Sequence, residues 1–84
     1  MKIQAELSLY PLKEPQVSPF IDGFLNLIEQ TDLSISTGPM STIISGERED
    51  VFQAVSDAFA KTADQCQVVL IVKFSNACPR KPEK

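Results

Sequence analysis

Apolar and polar residues alternate at the start of the chain, with the period of a β-strand that buries one face. The alternation predicts a strand from Lys2 to Leu9 that ends at Tyr10 and Pro11. A polar stretch with a proline, from Lys13 to Val17, then predicts a loop. The face expected in the core carries Ile3, Ala5, Leu7 and Leu9, and the opposite face carries Glu6, Ser8 and Tyr10.

Helical spacing begins after Ser18 and Pro19. A serine hydroxyl can cap the free N–H groups of a helix start, and proline is preset for the first turn. Apolar residues then recur at positions i, i+3, i+4 and i+7, which predicts an amphipathic helix that ends near Thr31. This apolar stripe consists of Ile21, Phe24, Leu25 and Ile28.

The middle of the chain predicts a β-hairpin and a second helix. Leu33 to Thr37 and Met40 to Ser45 flank the turn pair Gly38-Pro39, and Gly46 is expected to break the second strand. Acidic residues then lie where a helix dipole favours negative charge, at Glu47, Glu49 and Asp50. The apolar stripe assigned to this helix consists of Val51, Phe52, Val55, Ala58, Phe59 and Ala63.

A last strand is predicted from Gln67 to Phe74, and its Val68 to Val72 run is apolar on both faces, as in a strand covered on both sides or at an interface. The element order therefore predicts an α+β ferredoxin-like βαββαβ fold, a four-stranded antiparallel sheet with two helices on one face. The other face is left bare for a partner subunit or a ligand. We expect one domain over residues 1–76 and a disordered tail over 77–84.

Composition and charge narrow the class of protein. With 84 residues the chain has room for one core. A net charge of −3 and a pI near 4.7 argue against nucleic-acid binding, and the cationic run Arg80, Lys81 and Lys84 lies in the tail. The start has neither a secretory signal nor a presequence pattern, and no apolar run spans a bilayer, so we expect a cytoplasmic protein without membrane partners.

Candidate chemistry is sparse. The chain has no histidine, no CxxC pair, no nucleophile elbow and no P-loop, which argues against a metal site and against an enzyme. Cys66 and Cys78 are expected to be free thiols, because the extended run between them holds them too far apart for a disulfide. The carboxylates Glu47 and Glu49 are expected at a solvated helix start.

Four segments together resemble the family of small thiamine-binding proteins related to YkoF. They are AELSLYPL, SPFIDGFL, TGPMSTIISGE and EREDVFQAV, and the resemblance extends to Phe74. The chain departs from the family pattern at three positions. Lys13 stands where glycine often follows YPL, Phe20 where tyrosine is common, and Arg48 where an aromatic residue often precedes the acidic pair.

The resemblance implies a ferredoxin-like fold that pairs into a homodimer or homotetramer. It also implies non-catalytic binding of thiamine or its hydroxymethylpyrimidine moiety, in support of thiamine uptake or metabolism, with no required cofactor. The stretch Gly38 to Thr42 corresponds to a motif that lines the ligand site, with Met40 as an apolar wall and Ser41 and Thr42 as hydrogen-bond donors.

An aminopyrimidine ring needs stacking surface and a few fixed polar groups. Glu6 is suited to accept a hydrogen bond from the amino group, and Ser8 and Tyr10 can donate or accept. Alternatives stay open for Glu6, the hairpin residues and Asp22. Glu6 is equally suited to pair with a neighbouring Lys73 or a partner subunit, the hairpin residues to ordinary turn chemistry, and Asp22 to a ligand contact or a favourable charge in the first turn of its helix.

Two functions of different classes follow from these residues. One is thiamine binding, and the other is a structural or regulatory homo-oligomer without a small-molecule ligand. An RNA-binding module of the same fold is disfavoured, since such modules stack bases on aromatic residues with basic neighbours.

Overall fold

Strands and helices follow the order βαββαβ in the computed structural model of this protein, which describes residues 1–38 and 41–77. The strands are β1 (Lys2–Leu12), β2 (Ser34–Thr37), β3 (Thr42–Glu47) and β4 (Gln67–Ser75). The helices are α1 (Ser18–Glu29) and α2 (Arg48–Ala63).

The strands form one antiparallel sheet in the order β2-β3-β1-β4. β1 is central, and its Leu7 lies opposite Thr42 of β3 and Val72 of β4. This topology confirms the predicted ferredoxin-like α+β fold. The predicted hairpin is also present, with β2 paired to β3, whereas Pro39 and Met40 of its turn lie outside the described residues.

The core lies between the sheet and the two helices. Alternate residues of β1 are buried there, as the period of two predicts. The core residues are Ile3, Ala5 and Leu7 of β1, Phe24 and Ile28 of α1, Ile44 of β3, and Val51, Ala54 and Ala58 of α2. Among the described residues, no helix covers the opposite face, where Tyr10, Ile43, Val69 and Ile71 are exposed.

β1 is longer than its sequence pattern predicts. Tyr10 and Pro11 do not end it, because Pro11 pairs with Val68 and the strand continues to Leu12. Proline has no N–H to donate, and it is tolerated where only one side of a strand is paired. Here the described partner of that part of β1 is β4 alone.

Gly46 belongs to β3 and does not break it. It lies opposite Ile3 in the ladder with β1. A Cβ built on Gly46 would come within 2.5 Å of Leu33 Cδ2. The glycine therefore makes room for Leu33, which lies just before β2 and packs against the core.

The ends of α1 differ from their prediction. Val17 is the N-cap and no side chain caps the helix, so Ser18 is the first helical residue and not a hydroxyl cap. The Val17 carbonyl accepts the N–H groups of Phe20 and Ile21 at 3.1 and 3.2 Å. The helix ends at Glu29, two residues before Thr31.

The buried face of α2 is rotated from its predicted stripe. Val51 and Ala58 are buried as predicted, but the other buried residues are Ala54 and Thr62. Small side chains let the helix approach the sheet closely, and the bulky aromatic residues lie at the margin of the contact. The remaining members of the predicted stripe are half-buried at Val55 and exposed at Phe52, Phe59 and Ala63.

Cys66 is a half-buried free thiol whose Sγ donates to the Thr62 carbonyl at 3.8 Å. Cys78 and the cationic tail residues Arg80, Lys81 and Lys84 lie outside the described residues. In the described part of the chain, no helix is long and apolar enough to cross a membrane.

Candidate functional site

A cavity of about 180 Å³ lies between α1 and one end of the sheet, and we call it the α1 cavity. One side is apolar and the other is polar. The apolar lining is Leu7, Leu9, Ile21, Phe24 and Leu25, and the polar lining is Ser8, Thr37, Gly38, Ser41 and Thr42.

The cavity exists because two strand ladders end at different places. Pairing of β1 with β3 ends at Leu7 and Thr42, whereas pairing of β1 with β4 continues to Leu12. β1 therefore projects past the start of β3 and leaves a gap under the first turns of α1. Ile21 and Leu25 of α1 are only partly buried because they cover this gap.

The apolar wall suits a flat ring. Phe24 is 2% exposed and is fixed in the core while it lines the cavity. A cavity of roughly 150 Å³ lined by apolar side chains is large enough for one benzene ring. The α1 cavity thus has room for a single six-membered ring and little more.

The polar side is held by the hairpin between β2 and β3. The Gly38 N–H donates to the Ser41 carbonyl at 2.8 Å and closes the turn. Thr42 begins β3 and is 5% exposed. None of the described lining residues carries a charge. The cavity therefore offers hydroxyl and backbone groups, which suit the uncharged polar edge of a ring.

Glu6 lies behind this wall on the open face of the sheet. It accepts a hydrogen bond from Ser41 Oγ at 2.9 Å through Oε2. Its Oε1 lies 3.7 Å from Lys73 Nζ, directly across the ladder with β4. The carboxylate thus connects a cavity residue to β4, and it does not itself line the cavity. The ion pair with Lys73 is the alternative that the sequence left open.

A family model described as thiamine-binding protein matches residues 5–76. The match covers most of the chain, including every described residue that lines the α1 cavity. The chain belongs to the thiamine-binding protein family. This confirms the resemblance that the four sequence segments indicate.

A curated relative of this family member is the UPF0045 protein MJ1052 of Methanocaldococcus jannaschii, 29% identical over 58 residues. The match covers 68% of this chain and 58% of the relative, so it spans somewhat more than half the length of that protein.

Solved structures share the fold of this family member. Protein MJ1052 superposes with a TM-score of 0.83 at 24% identity, covering 95% of this chain and 84% of the other. A protein of Thermotoga maritima, TM0486, named provisionally for thiamine biosynthesis or salvage, gives 0.81 at 19% identity with 89% and 83% covered. Protein SP2199 of Streptococcus pneumoniae gives 0.83 at 19% identity, with 89% and 86% covered. At these identities the likeness supports the fold.

The structure brings together part of the predicted site. Ser8, Gly38, Ser41 and Thr42 all line the α1 cavity. Glu6 is one hydrogen bond away from it.

Two other predicted residues, Tyr10 and Asp22, lie outside the cavity. Tyr10 lies opposite Val69 on the open face and is 49% exposed. Asp22 borders a shallow surface depression on α1 instead. No acidic residue occupies the first turn of α1, because the helix begins at Ser18 and places Asp22 in the second turn. Met40 lies outside the described residues.

The apolar wall is not part of the predicted site. The periodicity predicts that its residues are core, and periodicity alone does not separate a core residue from one that lines a cavity beside the core. These residues are Leu7, Leu9, Ile21, Phe24 and Leu25. For Thr37 the pattern predicts only a strand. The available signal was the unequal length of the apolar patterns on the first and third strands.

A second cavity, about 350 Å³, lies at the opposite end of the sheet and is acidic. Its ionisable lining residues are Lys2, Asp32, Glu47, Asp50 and Asp57. A hydrogen bond from the N-terminal ammonium group, aided by Lys2, lowers the pKa of Glu47 below its ordinary value. Beside it, a hydrogen bond from Arg48 lowers the pKa of Glu49. These carboxylates form ion pairs at an exposed helix start.

Proposed function

We propose that this protein binds thiamine without catalysing a reaction on it, by seating the aminopyrimidine ring in the α1 cavity. The observation that carries the proposal is the position of a ring-sized cavity. Gly38, Ser41 and Thr42, the described residues of the stretch that the resemblance assigns to the ligand site, line its polar side together with Ser8 and Thr37. The family match and the provisional name of the Thermotoga relative support thiamine as the ligand.

The apolar side of the cavity contacts the faces of the ring, and the polar side contacts its edge. The ring packs against Phe24 and Leu7, which exclude water from its faces. At the edge of the ring the Thr42 hydroxyl donates to a ring nitrogen, and the Ser41 oxygen accepts from the exocyclic amino group. The cationic remainder of thiamine extends toward solvent, because the cavity has no room for a second ring.

Glu6 acts on the ligand through Ser41. With Oε2 accepting the Ser41 hydroxyl proton, the Ser41 oxygen keeps its lone pairs for a donor on the ring. The charged acceptor makes this bond stronger than one between neutral groups. Glu6 is therefore a positioning residue for the cavity wall.

A binding role, with no reaction, agrees with the chemistry of the lining. No ionisable side chain occurs among the described residues of the cavity. General acid–base catalysis requires a group within hydrogen-bond reach of the proton it moves. We infer a carrier that supports thiamine uptake or metabolism and needs no further cofactor.

Calorimetric titration with thiamine and with its isolated hydroxymethylpyrimidine tests the proposal. Micromolar binding or tighter, about 8 kcal/mol, is expected for thiamine. Thr42→Val and Ser41→Ala each remove one hydroxyl and are expected to weaken binding by about 1 kcal/mol, roughly fivefold.

Matched controls separate loss of the site from loss of the fold. Thr62→Val changes a threonine that is 4% exposed in α2, against 5% for Thr42, and it lies away from the cavity. Ser36→Ala changes an exposed β2 serine. Both controls are expected to bind like the parent. If neither thiamine nor hydroxymethylpyrimidine gives binding heat, the result would contradict the proposal and favour the structural or regulatory homo-oligomer.

A further inference from the structure

The hydroxyl group of Ser41, in the lining of the α1 cavity, already has a partner that only accepts hydrogen bonds. Ser41 Oγ lies 2.9 Å from Glu6 Oε2. An ionised carboxylate has no proton to give, so Ser41 is the donor of this bond. A hydroxyl group has a single proton, and the lone pairs of the Ser41 oxygen are therefore what it offers to a ligand.

The backbone holds both partners of the Ser41–Glu6 bond in place. Glu6 lies in the central strand β1, opposite Ile43 of β3 and opposite Lys73 of β4. Ser41 precedes Ile43 by two residues and is therefore a diagonal neighbour of Glu6 across the ladder. The Ser41 carbonyl accepts the Gly38 N–H at 2.8 Å, so the hairpin turn fixes its backbone. The direction of the Ser41–Glu6 bond is thus built into the sheet and the turn.

The other hydroxyl groups of the lining are not committed in this way. Ser8, Thr37 and Thr42 make no side-chain hydrogen bond to another described residue. Such a hydroxyl rotates and either donates or accepts, according to what the ligand presents. These three groups therefore accommodate a donor or an acceptor on the ring edge, whereas Ser41 favours a donor.

We propose that the Ser41–Glu6 pair selects the amino form of the pyrimidine ring against the deaminated form, in which a carbonyl oxygen replaces the amino group. This selection rests on the proposed thiamine binding and adds the chemical group that the site distinguishes. An amino group donates to the Ser41 oxygen. A carbonyl oxygen in the same place meets the lone pairs of Ser41, with no proton between the two oxygens. Glu6 is the positioning residue that sets this preference through Ser41.

The deaminated ring binds more weakly in either of two arrangements. If Ser41 turns its proton toward the ligand, the carboxylate of Glu6 loses its donor. If the proton stays on Glu6, two oxygen atoms repel each other, and such a repulsive contact is a common source of specificity. A hydrogen bond to a charged group contributes roughly tenfold to a hundredfold to an equilibrium constant. Because the Glu6 side chain is 41% exposed, water replaces part of the lost bond, and we expect a preference of about tenfold.

Lys73 is not needed for this preference. Its Nζ lies 3.7 Å from Glu6 Oε1, whereas Ser41 donates to Oε2. The Lys73 side chain is 79% exposed, and ion pairs at such positions contribute little. Removing the lysine leaves the acceptor of Ser41 in place, so Lys73 provides a matched control for the loss of charge beside Glu6.

Calorimetric titration of the full chain with thiamine and with oxythiamine tests the proposal. In oxythiamine a carbonyl oxygen replaces the amino group and the adjacent ring nitrogen carries a proton, while the cationic ring is unchanged. The charge of Glu6 therefore attracts the cationic part of both ligands equally, and the ratio of their dissociation constants reports on the pyrimidine edge. The parent is expected to bind thiamine about tenfold more tightly than oxythiamine.

Glu6→Gln and Ser41→Ala are the test variants. The amide that Glu6→Gln introduces can donate as well as accept, so Ser41 becomes free to turn its proton toward the ligand. Glu6→Gln is expected to bind oxythiamine more tightly than the parent does, a gain that a misfolded variant does not produce. Ser41→Ala removes the selecting hydroxyl and is expected to abolish the preference for thiamine.

Two control variants keep the Ser41–Glu6 bond. Thr42→Val removes a hydroxyl from the same cavity. It is expected to weaken both ligands equally, because Thr42 donates to the ring nitrogen of thiamine and accepts from the protonated nitrogen of oxythiamine. Lys73→Gln removes the ion pair and is expected to keep the ratio of the parent.

The possible outcomes separate this selection from thiamine binding itself. If the parent binds thiamine and oxythiamine equally, the selection is overturned and the proposed function stands. If thiamine does not bind at all, both are overturned. A preference that persists in Ser41→Ala would also overturn the selection through Ser41, because the amino group would then contact Glu6 directly. Unchanged discrimination by Glu6→Gln would show that the carboxylate does not set it.

Discussion

Lys13 holds a backbone conformation that residues with a Cβ disfavour, since its φ is 61°. A residue other than glycine in the left-handed conformation destabilises the fold by about 1–2 kcal/mol. Glycine avoids this strain, but it loses more conformational entropy on folding, which offsets part of the gain. The family resemblance places glycine at this position. Lys13→Gly is therefore expected to raise the free energy of unfolding by about 0.5–1 kcal/mol in denaturant titrations.

Two substitutions control for the loss of the lysine side chain. Lys13→Ala keeps the Cβ and is expected to give no gain. Glu14→Gly adds a glycine where φ is not positive and is expected to destabilise the fold. A Lys13→Ala variant as stable as Lys13→Gly would show that the backbone conformation is not the cause.

Glu47 ties the start of β1 to the start of α2. Its Oε1 lies 3.1 Å from the N-terminal nitrogen and its Oε2 lies 3.4 Å from Lys2 Nζ. Because these cations lower its pKa in the folded state, the carboxylate stabilises the fold above its unfolded pKa near 4.5, and the effect is lost as pH falls through the folded pKa.

We expect Glu47→Gln to melt below the parent at pH 7, with the difference shrinking as the pH falls below 4.5. The difference is small and decreases with salt, since the pair is half-exposed. Glu29→Gln is the control, because no ion pair involves Glu29 in the described part of the chain. A Glu47→Gln deficit that persists unchanged in acid would contradict the role of the ion pairs.

At the scale of elements, the sequence predicts which strands and helices form, and in what order, because each has one face in the core. The boundaries depend on partners. Pro11 remains in β1 because β4 alone pairs there, and Gly46 remains in β3 because Leu33 packs on it. Neither partner is visible in a local pattern.

The two helices differ in how well apolar periodicity predicts the buried face. In α1 the predicted stripe holds. Ile21, Phe24 and Leu25 line the α1 cavity, and Phe24 and Ile28 are buried in the core. In α2 residue size decides the contact, so Ala54 and Thr62 face the sheet and the phenylalanines move to its margin. The predicted stripe includes the large phenylalanines and is therefore rotated from the buried face, although it shares Val51 and Ala58 with that face.

At the scale of the whole molecule, the site arises from a mismatch of three elements. β1 continues past the point where its pairing with β3 ends. The β2–β3 hairpin closes one side of the resulting gap, and α1 covers it. The polar residues Ser8, Gly38, Ser41 and Thr42 were predictable from the alternation and the family motif. The cavity itself was not, because it depends on where the ladders end.

The most direct test of the account is an amide chemical-shift titration of the labelled protein with thiamine. We predict that the shifted resonances belong to the residues that line the α1 cavity, which are Leu7, Ser8, Leu9, Ile21, Phe24, Leu25, Thr37, Gly38, Ser41 and Thr42. Resonances of the acidic cavity, such as Asp32 and Asp57, should stay unmoved. Shifts confined to the acidic cavity or to the open face, or no saturable shift at all, would contradict the account.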